Sequence, residues 1–165
     1  MNIGQESLML LDPDHKLGGN SQQTAKRAAE IVIKTKPGFL IPDKIQRRTL
    51  RIAFAARDHA LYGKAFDIVR IEGELFDLSD PDEVEKNWSR IKIYEIKSTG
   101  KKTVKEDFKG YFFSISTAEL LTAQDLKEKY GFLFVNTNTG KIEEMGLREI
   151  FAKAKGIYPT WSIQF

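Results

Sequence analysis

The sequence predicts one α/β domain with a mixed central sheet flanked by helices. Between residues 91 and 99, apolar residues alternate with charged ones at a period of two, which is typical of a strand. Between residues 21 and 34, apolar residues gather on one side of a helical pattern. Helical segments come first, followed by a strand pair and then by mixed strand and helix. This order favours a single mixed α/β domain.

The first third of the chain is predicted to contain two helices. Residues 1–20 carry Asp-Pro-Asp and Gly-Gly-Asn turn signals and are predicted to be irregular. A serine N-cap begins a helix over residues 21–34, and a Pro-Gly pair ends it. A second helix is predicted after Asp43 and runs toward Tyr62. Its core face is predicted to consist of Ile45, Leu50, Ile52, Phe54 and Leu61.

The remaining two thirds are predicted to alternate between strands and helices. Strands are predicted at residues 66–71, 91–99, 111–115, 132–135, 141–143 and 161–165. Helices are predicted at residues 82–88, 117–129 and 147–155. Ser116 or Thr117 is the predicted cap of the helix at 117, because Glu119 follows at capping-box spacing.

The amino-acid composition excludes several classes of protein and of site. The 165 residues are 41% hydrophobic, include no cysteine and carry a formal net charge of +3. We therefore expect no disulfide or thiolate metal site, and a reducing, cytoplasmic setting. The longest apolar runs are too short to span a bilayer, so no membrane association is expected. The uneven positive charge is compatible with a polyanionic partner.

Three charged residues lie in predicted strand segments that are otherwise as apolar as strands of a protein core. Glu95 and Lys97 are two positions apart on the predicted strand, so their side chains share one face. Asp67 lies in the shorter apolar segment 66–71, where a carboxylate has the same unusual setting. Two carboxylates and a lysine converging at a sheet edge predict a site for a hard divalent cation and a phosphodiester.

The pattern of Asp67 followed by Glu95-x-Lys97 resembles the PD-(D/E)xK nuclease superfamily, whose members share the restriction-endonuclease-like fold. The resemblance covers about residues 21–135 and includes the apolar flanks of both segments. It implies that residues 1–165 form a single nuclease domain with a restriction-endonuclease-like core. Residues 95–99, followed later by residues 110–120, look like nuclease-related domains found in bacterial restriction and defence proteins.

The resemblance implies a Mg²⁺-dependent endodeoxyribonuclease, with one or two ions and with Mn²⁺ as a possible substitute. Asp67 and Glu95 would hold the ion through oxygen atoms, helped by the Ile96 carbonyl. Lys97 would position a water molecule and stabilise developing negative charge. Glu30, on the first predicted helix, matches an accessory carboxylate of some members.

Basic residues supply the predicted contacts with double-stranded DNA. Three places supply the candidates: Ser98 near the end of the Glu95 strand, the basic loop that follows this strand, and the second helix. The residues are Ser98, Lys101, Lys102, Lys105, Arg47, Arg48 and Arg51. A chain of this size has little room for a separate recognition domain, so a homodimer or a subunit of a larger nuclease is expected.

Several alternatives remain open at this point. Glu95 and Lys97 also fit an exposed charge pair on the solvated face of an antiparallel sheet. A site-specific type II restriction enzyme is the first functional hypothesis, and a repair or recombination nuclease is the second. The alternative from another class is a non-catalytic nucleic-acid-binding or assembly protein on the same fold.

Overall fold

The computed structural model describes residues 20–62 and 65–159. Within these ranges the helices are α1 (Asn20–Thr35), α2 (Lys44–Ala55), α3 (Pro81–Lys86), α4 (Thr117–Leu126) and α5 (Leu147–Lys153). The strands are β1 (Phe39–Leu40), β2 (Ile68–Ile71), β3 (Ile91–Thr99), β4 (Tyr130–Asn136) and β5 (Ile142–Met145). Two short 3₁₀ turns, Trp88–Arg90 and Lys127–Lys129, lead into β3 and β4.

The five described strands form one mixed sheet in the order β1-β2-β3-β4-β5. Strands β1, β2 and β3 pair antiparallel in succession, β3 and β4 are parallel, and β5 returns antiparallel to β4. Helix α4 lies in the connection between the two parallel strands, as a parallel pair requires. The α/β class with a mixed sheet flanked by helices is confirmed.

The sheet buries both faces. On one face, Leu50 and Phe54 of α2 pack with Ile93 and Phe132, and α4 and α5 add further apolar side chains. On the other face, α1 packs against β3 and β4. That second cluster contains Ala28, Ala29, Val32, Tyr94, Ile96 and Leu133. Because successive strand residues point to opposite faces, Glu95 and Lys97 lie on the face covered by α2 and α4.

Local sequence signals explain most of the element boundaries. Asp43 caps α2 by accepting hydrogen bonds from Ile45 N and Gln46 N at 2.8 and 2.9 Å. Ser116 caps α4 and forms the predicted capping box with Glu119. None of the helices in the described ranges has the length and apolarity needed to cross a bilayer.

The second helix differs from its prediction. It ends at Ala55 rather than continuing toward Tyr62. Its predicted core face was partly wrong, because Ile45 and Ile52 are 63% and 59% exposed whereas Leu50 and Phe54 are fully buried. At about 100° per residue, Ile45 and Ile52 lie on the side of the helix away from Leu50.

The aromatic segment at residues 111–115 is not a strand, and the short strand β1 was not predicted. Tyr111 and Phe113 instead pack their rings on Phe134 of β4, with centroid distances of 6.2 and 4.8 Å. Both residues are half-buried against the core, so this aromatic segment packs on the sheet without being one of its strands. The predicted terminal strand at 161–165 lies outside the described residues. So does the predicted irregular N-terminal segment, except that its last residue, Asn20, begins α1.

Candidate active site

The strand pair β2–β3 brings Asp67 beside Glu95. Ile68 pairs with Tyr94 in the antiparallel register, so Asp67, one residue before β2, lies next to Glu95 on β3. The Asp67 backbone N–H donates to the Tyr94 carbonyl at 2.8 Å. The Ile96 backbone N–H donates to Asp67 Oδ2 at 2.9 Å. These two bonds fix the Asp67 carboxylate against β3.

Glu95 and Lys97 are buried together on one face of β3. Their side chains are 12% and 8% exposed, and Lys97 Nζ lies 3.4 Å from Glu95 Oε1. They follow Ile91 and Ile93 on the same face of the strand, and those two residues belong to the main core. The alternative of an exposed charge pair is therefore wrong.

A third carboxylate, Glu119 of α4, completes the cluster. Its Oε2 accepts a hydrogen bond from Lys97 Nζ at 2.7 Å, and its side chain is only 10% exposed. The same oxygen accepts from Ser116 N at 3.1 Å within the capping box. The sequence identified Glu119 only as a helix cap. Its place in the cluster depends on the packing of α4 over the sheet, which no local pattern encodes.

The cluster is electrostatically unbalanced toward negative charge. Burial and the neighbouring Asp67 raise the pKa of Glu95 well above its usual range. Burial also raises the pKa of Asp67, although the hydrogen bond from Ile96 N opposes this shift. Burial alone would lower the pKa of Lys97, but the Glu95 and Glu119 carboxylates outweigh it and raise that pKa. Lys97 therefore keeps its positive charge in a cluster with the carboxyl groups of Asp67, Glu95 and Glu119.

Arg47 of α2 contacts the backbone of the segment that carries Asp67. Its guanidinium donates to the Phe66 carbonyl at 2.8 Å and to the Asp67 carbonyl at 3.0 Å, and it lies 4.7 Å from the centroid of the Phe66 ring. The Tyr130 hydroxyl donates to the Ala65 carbonyl at 2.5 Å. Both contacts fix the segment that enters β2. The structure therefore gives Arg47 a positioning role for this segment, and its contact with DNA stays a prediction.

The other predicted basic residues lie on the surface. Arg48 and Arg51 are exposed on α2 and line an open groove together with Ile52 and His59. Lys101, Lys102 and Lys105 are exposed in the loop after β3.

Ser98 lies at the end of β3, where it is half-buried. Its carbonyl accepts a hydrogen bond from the Tyr111 hydroxyl at 2.6 Å, so the structure gives its backbone a role in anchoring the aromatic segment.

Glu30 stands apart from the cluster. It is exposed on α1, and α1 packs through Ala28 and Val32 against the sheet face that carries Tyr94 and Ile96. That face is opposite to the one with the carboxylates. The structure does not join Glu30 to the other predicted site residues.

The oxygen atoms of Asp67 and Glu95 fit a hard divalent cation. Glu95 Oε2 is buried and has no hydrogen-bond partner among the described residues, although Asp67 lies directly beside Glu95. A buried carboxylate oxygen without a donor is satisfied either by a proton or by a cation. Mg²⁺ typically takes one or two protein carboxylates and completes its shell with water and phosphate. Within residues 20–62 and 65–159, no set of three or more Asp, Glu, His or Cys residues has the arrangement of a metal site.

Comparisons with protein-family models, with curated proteins and with solved structures find no match for this chain.

Proposed function

We propose that this chain is a Mg²⁺-dependent endodeoxyribonuclease with a restriction-endonuclease-like core. The observation that carries the proposal is the meeting of Asp67 and Glu95 on adjacent antiparallel strands, with Lys97 on the same buried face. Buried charges are rare unless they are paired or serve a site. A purely structural ion pair would not need a surplus of carboxylates.

The topology also supports the proposal. A helix, three antiparallel strands, a crossover helix and a parallel strand follow one another in the core, with α2 and α3 inserted between strands. This order fits the restriction-endonuclease-like fold that the motif implies. The candidate residues lie at the β2–β3 pair, as that resemblance expects.

Each residue has a definite part in the proposed hydrolysis. Asp67 and Glu95 would hold Mg²⁺, and the ion would supply Lewis-acid chemistry, polarisation of the phosphoryl group and activation of water. Lys97 binds a non-bridging phosphate oxygen and orients the attacking water. The water oxygen bonds to phosphorus, the phosphodiester P–O bond breaks, and the leaving oxygen receives the proton that the water gives up. The Ile96 carbonyl is a further predicted ligand of the ion.

The proposed substrate is double-stranded DNA bound through exposed cations. Lys101, Lys102 and Lys105 in the loop after β3, with Arg48 and Arg51 on α2, would contact phosphates and give salt-dependent affinity. Cutting both strands would use a homodimer or a larger assembly, and site-specific restriction remains the first biological role. Repair or recombination is the second.

Supercoiled plasmid DNA with and without MgCl₂ tests the proposal. We expect Mg²⁺-dependent conversion to linear fragments, with discrete bands for a specific enzyme and a smear for a non-specific one. Glu95→Gln and Lys97→Met should lose cleavage but retain gel-shift binding of DNA in EDTA. Glu128→Gln and Lys141→Met, which change exposed residues, serve as matched controls. Normal cutting by either site variant contradicts the site assignment.

A second candidate is a non-catalytic nucleic-acid-binding or assembly protein on the same fold. The observation in its favour is that the buried Lys97 is already paired with two carboxylates, Glu95 and Glu119. In this case the buried Lys97 pairs would serve stability alone. Folded protein that binds DNA but does not cut several DNAs with Mg²⁺ or Mn²⁺ would support this alternative.

A further inference from the structure

Glu119 makes two hydrogen bonds with one carboxylate oxygen. Oε2 accepts from Ser116 N at 3.1 Å and from Lys97 Nζ at 2.7 Å. The first bond belongs to the capping box that begins α4. The second bond connects α4 to β3 across the buried face of the sheet. The capping box of α4 therefore holds the Glu119 side chain in place independently of its contact with Lys97.

Lys97 is held closer to Glu119 than to Glu95. Its Nζ lies 2.7 Å from Glu119 Oε2, a normal length for a charge-assisted hydrogen bond, but 3.4 Å from Glu95 Oε1. The Glu95 contact is at the long limit for a hydrogen bond, and the other Glu95 oxygen, Oε2, is buried with no hydrogen-bond partner in the part of the chain that the structure describes. The lysine thus neutralises Glu119 first and leaves Glu95 with unused acceptor capacity.

We propose that Glu119 is a positioning residue that holds Lys97 back from Glu95 and so leaves Glu95 free for a divalent cation. This inference rests on the proposed function. Asp67, Glu95 and Glu119 together carry three negative charges when ionised, and Lys97 offsets one. The remaining two match a single divalent ion. Without the Glu119 carboxylate, Lys97 turns to Glu95 and competes with the cation.

Glu119→Gln isolates the charge from the helix cap. Glutamine at this position keeps a capping box, because its side-chain oxygen still accepts from Ser116 N. It offers Lys97 only a neutral acceptor, so the lysine moves toward the remaining carboxylate. Ser116→Ala is the matched control, because it weakens the cap but leaves the Glu119 charge in place.

The test is a cycle of Glu119→Gln, Lys97→Met and the double variant in the full chain. Mn²⁺ affinity is measured by electron paramagnetic resonance. With Lys97 present, Glu119→Gln should weaken Mn²⁺ binding about tenfold. The reason is that the buried Lys97 ammonium then competes with the ion for the Glu95 carboxylate. In the Lys97→Met background, the same change should alter the affinity less than about threefold, because no lysine remains to compete. Ser116→Ala should bind Mn²⁺ like the wild type.

Equal weakening in both backgrounds would overturn the proposal, since Glu119 would then act directly on the ion. Unfolding in EDTA gives a second reading that needs no metal. Lys97→Met should raise the unfolding constant about 100-fold when Glu119 is intact but only about tenfold in the Glu119→Gln background, because fewer unpaired buried charges remain. Additive effects would overturn the Lys97–Glu119 pairing. Absence of Mn²⁺ binding by the wild type would overturn the proposed function together with the cation part of this inference, whereas the unfolding cycle still decides the pairing.

Discussion

Glu95→Gln should stabilise the protein at alkaline pH in the absence of metal. The buried Glu95 carboxylate lies beside Asp67, and no group in residues 20–62 and 65–159 donates a hydrogen bond to its Oε2. A glutamine amide carries no charge and can donate to Asp67, which lies opposite position 95 in the register of β2 and β3. Leaving a buried polar group unsatisfied costs about 1–3 kcal/mol, so we expect a gain of about 1–3 kcal/mol at about pH 8.

The sign of the pH dependence follows from the raised pKa of Glu95, whose main causes are burial and Asp67. Between the ordinary value of 4.5 and the raised value, the folded state keeps a proton that the unfolded state has lost. Wild-type stability therefore falls as pH rises through this interval, and the loss is absent below it. The difference between Glu95→Gln and wild type should grow with pH and be small near about pH 5.

Urea unfolding in EDTA at about pH 5 and about pH 8 measures the effect. Each kcal/mol corresponds to roughly 2–4 °C in the thermal midpoint of a domain of this size. Glu128→Gln removes an exposed carboxylate and should show no such change with pH. In MgCl₂ at about 100 times the dissociation constant, wild type alone should gain about 2.7 kcal/mol. A Glu95→Gln variant that is less stable than wild type at about pH 8, or equally different at both pH values, would refute the reasoning.

Three further predictions concern the neighbouring cations. Lys97→Met should lower the free energy of unfolding by about 3 kcal/mol at neutral pH, because it leaves buried carboxylates unpaired. A loss under about 0.5 kcal/mol in urea titration would contradict this prediction. Arg47→Met should cost about 2–3 kcal/mol through loss of two charge-assisted hydrogen bonds to the backbone entering β2, whereas the exposed Arg48→Met should stay within about 0.5 kcal/mol. Equal effects of the two arginine changes would contradict the positioning role. Replacing Lys101 and Lys102 by alanine should reduce the slope of log DNA affinity against log salt by about one unit per lysine, and an unchanged slope in fluorescence anisotropy would remove this loop from the proposed DNA surface.

The sequence predicted the shared face of the candidate site because strand periodicity is local. A period of two placed Glu95 and Lys97 together, and the apolar flanks of Asp67 indicated a neighbouring strand. The antiparallel β2–β3 register then confirmed that Asp67 and Glu95 are adjacent.

Local sequence patterns could not predict the features that depend on tertiary packing. Glu119 reaches the cluster because α4 crosses over the sheet, and the capping box that flagged this residue does not say which strand the helix covers. The exposure of Ile45 and Ile52 likewise depends on which side of α2 meets the core. Tyr111 illustrates the same limit, since an aromatic run can pack onto a sheet instead of joining it.

We propose that Asp67 and Glu95 together hold a divalent cation beside Lys97. Anomalous diffraction from crystals grown with Mn²⁺ tests it most directly. We predict an anomalous peak within coordination distance of oxygen atoms from both carboxylates, with Lys97 Nζ still bonded to Glu119, and no such peak in Glu95→Gln crystals. Ordered Asp67 and Glu95 carboxylates without a peak between them at saturating Mn²⁺ would contradict the account.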